Sequence, residues 1–273
     1  MMKRLLLTLA ACLSVFCIAQ AQEVKIKGSD TMLPLIQSMI EMYATESAQS
    51  VIVRGGGSST GFRDLKTQTC DIAMASRSMQ DMEKQGFKKA GKPIKETVLA
   101  YDALSIVVHP SNPIKRLTKS QLARLFSGQV KNWKELGGKD IPVQLVIRDK
   151  NSGTHEFIRS FVMGGQPYAP NAQVEESNSG IIQSVSQNKG AIGYVGLAYV
   201  EYIVSTVAVS FDGKTYHQPT FKTAMEKKYP ILRALYLYYD ASSEHKVKAF
   251  RDFALSPRGQ RIATHEGYIP AVF

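Results

Sequence analysis

Three short segments of one composition stand out in this 273-residue chain: Gly28-Ser29-Asp30-Thr31, Gly56-Gly57-Ser58-Ser59-Thr60-Gly61 and Arg148-Asp149-Lys150-Asn151-Ser152-Gly153-Thr154. Each follows a short β-branched run and opens an apolar-periodic or helix-compatible stretch. A helix N-terminus leaves N–H donors unpaired and carries a partial positive charge, which suits an anion. Glycine lets the backbone come close, and each hydroxyl adds a donor. Taken singly, each segment also reads as an ordinary N-cap, because Ser, Thr and Asp are the favoured capping residues. Three together, one led by an arginine, point to a tetrahedral oxyanion. Arg148 can offer it a two-pronged fork.

Other chemistry fits less well. Gly57-Ser58-Ser59-Thr60-Gly61 matches the G-x-S-x-G pattern of a nucleophile elbow, with Ser59 central and His265 available as a base. That hydrolase reading stays open, although the loop follows only the second strand and no acid is marked between the two residues. The same loop misses the P-loop pattern, since Phe62-Arg63 stands where Lys-Ser/Thr is required. The histidines (His109, His155, His217, His245, His265) are dispersed without metal-ligand spacing, so neither a metal nor a cofactor is expected.

The loops need elements that gather them. Val24–Ile26, Val51–Val53 and Asp71–Ala75 read as short strands, with helices after Thr31 and over 62–67. The third strand ends at Ser76-Arg77, followed by a polar helix. The grammar then repeats. An apolar run spans Leu99–Val108, a helix Thr118–Phe126 and a strand Val143–Ile147, and a helix begins near His155. Further strands are expected at Ala191–Val195 and Ile231–Tyr239, with a turn around Asp212-Gly213. Alternation of this kind predicts an α/β fold with a mostly parallel sheet covered on both faces, and ligand loops at the carboxyl ends of its strands.

Bulk properties set the compartment. Met1–Arg4 is a basic start, Leu5–Ile18 is apolar, and Ala19-Gln20-Ala21 is a small-x-small cleavage site, so residues 1–21 read as a secretory signal peptide. Leu9-Ala10-Ala11-Cys12 offers a lipid anchor at Cys12 as the less favoured alternative. Beyond the signal only Cys70 remains, which excludes an internal disulfide. The net charge of +11 becomes +9 without Lys3 and Arg4 (32 basic residues against 23 acidic). A basic balance favours an anionic partner. The lysines are scattered without the interleaved aromatics of a single-strand groove, so nucleic acid is not expected.

These loops, in this order, resemble the phosphate-binding component of bacterial phosphate ABC transporters. The likeness extends to Leu125-Phe126-Ser127-Gly128, Asn132-Trp133, Gly190–Val195, Ser256–Gln260 and Glu266–Pro270. It implies a two-lobed type II periplasmic-binding-protein fold with the ligand cleft between the lobes. Lobe 1 would comprise 22–103 and 230–273, and lobe 2 would comprise 104–229. Carried over by position, the ligands of phosphate would be Thr31, Ser58, Arg148, Ser152 and Thr154, with backbone donors from Ser59 and Gly153. One position departs. Where many members end the third strand with Ser-Asp, whose carboxylate accepts the proton of hydrogen phosphate, this chain has Ser76-Arg77. The resemblance therefore leaves two expectations: Asp30 supplies the missing acceptor, or Arg77 meets the anion itself. It further implies a periplasmic, monomeric, non-enzymatic carrier that delivers phosphate to a membrane permease, with sulfate or molybdate, or sensing, as the alternative.

Overall fold

The computed structural model describes residues 23–271, so the signal-peptide and Cys12 expectations lie outside the described residues. The first half opens with β1 (Val24–Gly28), α1 (Leu33–Tyr43), β2 (Val51–Arg54), α2 (Ser58–Lys66), β3 (Ile72–Ala75) and α3 (Asp81–Lys89). The three strands pair in parallel in the order β2-β1-β3. Pro34 sits in the first turn of α1, where its missing N–H leaves no bond unmade.

A long strand, β4 (Ile94–Val108), leads into the second half. There follow β5 (Arg116–Thr118), α4 (Lys119–Phe126), β6 (Gln144–Arg148), α5 (Gly153–Phe157), β7 (Gln173–Glu175), α6 (Asn178–Gln187), β8 (Ala191–Gly196), β9 (Ser205–Thr206), β10 (Ala208–Ser210) and α7 (Phe221–Met225). β11 (Leu232–Asp240) returns the chain to the first half, which ends with α8 (Glu244–Leu255), α9 (Pro257–His265) and β12 (Ile269–Pro270).

The main sheet runs β2-β1-β3-β11-β4-β8-β6-β7. It is mixed rather than mostly parallel: β11 pairs antiparallel with both β3 and β4, and β4 pairs antiparallel with β8. The reason is topological. β4 carries the chain out of the first half and β11 brings it back, so the two must run in opposite directions. Residues 94–103 of β4 pair with β11, and Leu104–Val108 pair with β8. At the changeover Leu104 N donates to Ile231 O at 2.9 Å.

Both faces of the sheet are covered, and the strand period of two assigns the residues. On β3 and β11, Ile72, Met74, Leu235, Leu237 and Tyr239 pack with Leu35, Ile36 and Met39 of α1 and Val247 and Phe250 of α8. Their neighbours Ala73, Ala75 and Tyr238 face the other way, onto Phe62, Leu65 and Phe87 of α2 and α3. The second half repeats the arrangement: Leu104, Ile106 and Val108 join a core with Phe126, Trp133 and Tyr194, whereas Val107 joins Val146, Ile181 and Val185. Two separately packed bodies thus share one continuous strand. Asp212 accepts from Ser210 Oγ and from the amides of Lys214 and Thr215, which forms the expected turn, closed by a single Val209–His217 bridge.

Candidate functional site

The three loops meet where the two halves face each other. Thr31 lies in a short 3-10 turn after β1, Ser58 is the first residue of α2, and Arg148 ends β6 just ahead of α5. Ser152 caps α5, its Oγ accepting from Thr154 N (3.2 Å) and His155 N (3.3 Å). Thr31, Ser58, Ser76, Arg148, Ser152 and Thr154 are all buried. A buried hydroxyl cluster fed by two helix N-termini is a place where negative charge is stabilised.

The halves touch through these residues. Thr31 Oγ1 and Thr154 Oγ1 are 3.0 Å apart, and Ser59 N donates to Asn151 O at 3.1 Å. Two glycines permit this approach. Gly57 has φ +90°, and a Cβ on it would lie 2.4 Å from Asn151 O; a Cβ on Gly153 would lie 2.3 Å from Ser58 Oγ. Ser58 Oγ accepts from Ser76 N at 3.1 Å and lies 3.5 Å from Ser76 Oγ. Of the backbone donors expected from the loops, the Ser59 amide is engaged by Asn151 in this closed arrangement.

Arg148 is almost wholly enclosed, its side chain 1% exposed. Nη2 donates to Glu176 O at 2.7 Å, whereas Nε and Nη1 are buried without a hydrogen-bond partner in the protein. Nη1 lies 3.5 Å from Asp30 Oδ2, near enough for charge attraction but short of a formed hydrogen bond. That carboxylate is itself held from the other half, accepting from Asn178 N and Nδ2 at 3.2 Å each. Asp30 therefore sits inside the cleft next to Thr31. The backbone of Arg148 is fixed by Tyr194 OH, which accepts from its N–H, and by His155 Nδ1, which donates to its carbonyl at 2.8 Å. Burial holds the His155 ring below its ordinary 6.5, which favours its neutral form, and pushes the Tyr194 phenol up to about 12.

Arg77 does not join this cluster as a free cation. Its guanidinium is bidentate to Glu83, with both contacts at 2.7 Å, and donates to Ser59 Oγ at 3.0 Å. Glu83 is fixed in place because it also completes the capping box of α3 with Gln80 N. A buried arginine needs a counter-charge, and this one is six residues away. The same contact bears on the hydrolase reading. Ser59 Oγ faces a guanidinium donor, while His265 lies on α9 with an exposed ring against Glu266. Among the described residues, no group of three His, Cys, Asp or Glu is placed to hold a metal ion.

One pair of cleft residues was not singled out from the sequence. Asp102 on β4 and Arg233 on β11 are register partners, and both side chains are 1% exposed. Arg233 donates from Nε (3.1 Å) and Nη2 (2.8 Å) to Asp102 Oδ2, from Nη1 to Thr154 Oγ1 (2.9 Å) and Ser76 O (3.2 Å), and from Nη2 to Thr31 Oγ1 (3.2 Å). Burial pushes the Asp102 carboxyl up and the guanidinium down, and each opposes the other's shift. Because a guanidinium keeps its proton in proteins, the pair is ionic. A lone charge in each of the apolar runs Leu99–Val108 and Ile231–Tyr239 was the available signal.

Comparison with known proteins places this geometry. The family profile of the PBP superfamily domain matches residues 18–258. The phosphate-binding protein PstS of Pseudomonas aeruginosa is 32% identical, the match covering 89% of this chain and 81% of that one. PstS of Bacillus subtilis is 31% identical, over 90% and 79%. A substrate-binding protein assigned to a phosphate ABC transporter of Clostridium perfringens, solved with bound phosphate, superposes with a TM-score of 0.83 at 33% identity, covering 92% of this chain and all of that one. An ABC-type phosphate transport receptor from Vibrio cholerae gives 0.74 at 30% identity, over 90% and 99%. With its buried hydroxyl cleft between two α/β bodies, the chain belongs to the PBP superfamily and, within it, to the PstS family of phosphate-binding proteins.

Proposed function

We propose that this protein captures inorganic phosphate outside the cytoplasmic membrane by closing two lobes on it, and hands it to an ABC-type permease. The observation that carries this reading is Arg148: three N–H donors on Nε and Nη1 are buried without a protein partner, beside a cluster of hydroxyls. Asp30 and Asp149 lie 3.5 and 3.8 Å from the guanidinium, but buried N–H donors without acceptors are unfavourable, and an oxyanion bridging the lobes would supply those acceptors. Thr31, Ser58 and Ser76 serve from one side, and Arg148, Ser152, Gly153 and Thr154 from the other. Ser59 contributes its amide once Asn151 yields it. Arg77 acts indirectly, by holding Ser59 Oγ. The lobes divide near 103/104 and 230, where β4 and β11 cross, and the ligand favours the closed state because it bonds to both.

Asp30 takes the acceptor role that the usual Asp fills elsewhere in the family. Its carboxylate accepts the proton of hydrogen phosphate and repels sulfate, which has none to give near neutral pH. Export through a cleaved signal, a periplasmic setting and a monomeric particle complete the proposal. No helix among the described residues is long and apolar enough to cross a membrane.

The test is calorimetric titration of phosphate-stripped protein with phosphate, then with sulfate as competitor. Micromolar or tighter phosphate binding that excess sulfate leaves intact supports the reading. No phosphate binding, or equal binding of sulfate, overturns it.

A further inference from the structure

All five N–H donors of the Arg233 guanidinium are used: two on Asp102, and one each on Ser76 O, Thr31 Oγ1 and Thr154 Oγ1. These acceptors lie on different parts of the cleft. Thr31 and Ser76 follow strands of the first half, Thr154 opens α5 in the second, and Asp102 is on the crossing strand. Asp102 Oδ1 in turn accepts from Leu197 N, just beyond β8. One side chain rooted where the chain crosses between the halves therefore bonds to both walls.

The hydroxyl protons can be counted. A guanidinium has donors only, so Thr31 and Thr154 must both accept from Arg233. Their 3.0 Å mutual contact consumes one of the two O–H protons. The other is left over for an acceptor outside the pair. We propose that Arg233, braced by Asp102, is a positioning residue that fixes the Thr31–Thr154 hydroxyl pair so that its one remaining O–H is a donor for the anion, and locks the two walls together on closure. Opening moves Thr154 away from Thr31 and breaks the fork; closing remakes it in one step with the anion site. The inference rests on reading the cleft as an anion site, but not on the anion being phosphate.

Arg233→Lys keeps the charge opposite Asp102 but cannot span both threonines. Wild type and variant are titrated calorimetrically with phosphate, arsenate, sulfate and molybdate, and phosphate release is timed after rapid dilution of radiolabelled protein complex. The expected result is phosphate binding roughly 10- to 100-fold weaker, through faster release, with the melting temperature of unliganded protein little changed. Thr154→Val should weaken binding far less in the Arg233→Lys background than alone, a coupling that a merely structural arginine would lack. If Arg233→Lys does not fold, the charge-neutral pair Asp102→Asn with Arg233→Gln takes its place and should show the same loss. Wild-type affinity and release in the folded variant, or strict additivity with Thr154→Val, overturns the proposal. If wild type ignores phosphate but takes another anion, the phosphate reading fails and the fork is judged on that anion. Binding of none of the four sinks both.

Discussion

Of the three arginines buried around this cleft, Arg233 and Arg148 are opposites. Arg233 has every donor satisfied, by a carboxylate of its own, a carbonyl and two hydroxyls. Arg148 has one clear bond, to Glu176 O, a carboxylate held at 3.5 Å, and three donors with no partner. Burial costs both of them their hydration. The first recovers it within the fold and so belongs to the frame. The second keeps donors that the fold leaves unmet, and on the proposed reading the anion meets them.

The largest expected effect removes the unsatisfied arginine. Arg148→Ala should weaken phosphate binding roughly a hundred- to a thousand-fold in calorimetry, since charge-assisted bonds to a desolvated anion are lost. Its melting temperature should fall less than that of Asp102→Ala, because the Asp30 carboxylate left behind keeps two hydrogen bonds from Asn178. A variant that loses stability and keeps affinity would reverse the two roles.

Asp102→Ala attacks the other corner and should do the contrary. It strands the Arg233 guanidinium without its counter-charge, for a loss of about 3–5 kcal/mol in denaturant unfolding. Replacing the pair by Leu and Met of similar bulk should return most of that stability, because a buried ion pair is seldom worth more than good apolar packing. Full stability with weak anion binding in the apolar pair would separate frame from latch.

This contrast explains how much could be read in advance. The loops were legible because a Gly/Ser/Thr run ahead of a helix is a local pattern: Gly28–Thr31, Gly56–Gly61 and Arg148–Thr154 each carry it within seven residues. So were the strands and helices that follow them, since hydrophobic period is local too. The Asp102–Arg233 pair was not, because its members lie 131 residues apart and meet only through the register of β4 and β11. Each is the one charge in an apolar run, Leu99–Val108 or Ile231–Tyr239, a signal that a partner exists but not which one. Arg77 failed differently. Its partner Glu83 is near in sequence, but the capping box that aims Glu83 back at it required the α3 boundary at Asp81, which the polar composition of 78–90 left undefined. The sheet was expected to be mostly parallel for a related reason: direction in β4 and β11 is set by where the chain must go next, not by their composition.

A smaller effect should appear at Asp30, which faces Arg148 Nη1 at 3.5 Å and is steadied by Asn178. Asp30→Asn removes the repulsion of sulfate and the acceptor for the phosphate proton. Competition titration should show the preference for phosphate over sulfate falling by about tenfold or more, on the order of one charged hydrogen bond. An unchanged preference would place the selectivity in the hydroxyls instead.

The smallest effect should come from His155, which belongs to the Arg148 corner because its Nδ1–H donates to the Arg148 carbonyl. Burial holds its pKa below the ordinary 6.5, so the folded protein takes up the proton less readily than the unfolded chain. The stability from keeping the ring neutral is complete above about pH 6.5 and is lost as the pH falls through the lower folded value. Melting temperatures measured from pH 8 down to pH 5 should therefore decline more steeply in wild type than in His155→Asn, whose side chain does not titrate. Phosphate affinity should decline less than stability over the same window, because the Nδ1–H to Arg148 O bond survives when the other ring nitrogen gains a proton. Should affinity fall in step with stability, the carbonyl contact is not what fixes Arg148, and the imidazole would have to act on the anion itself.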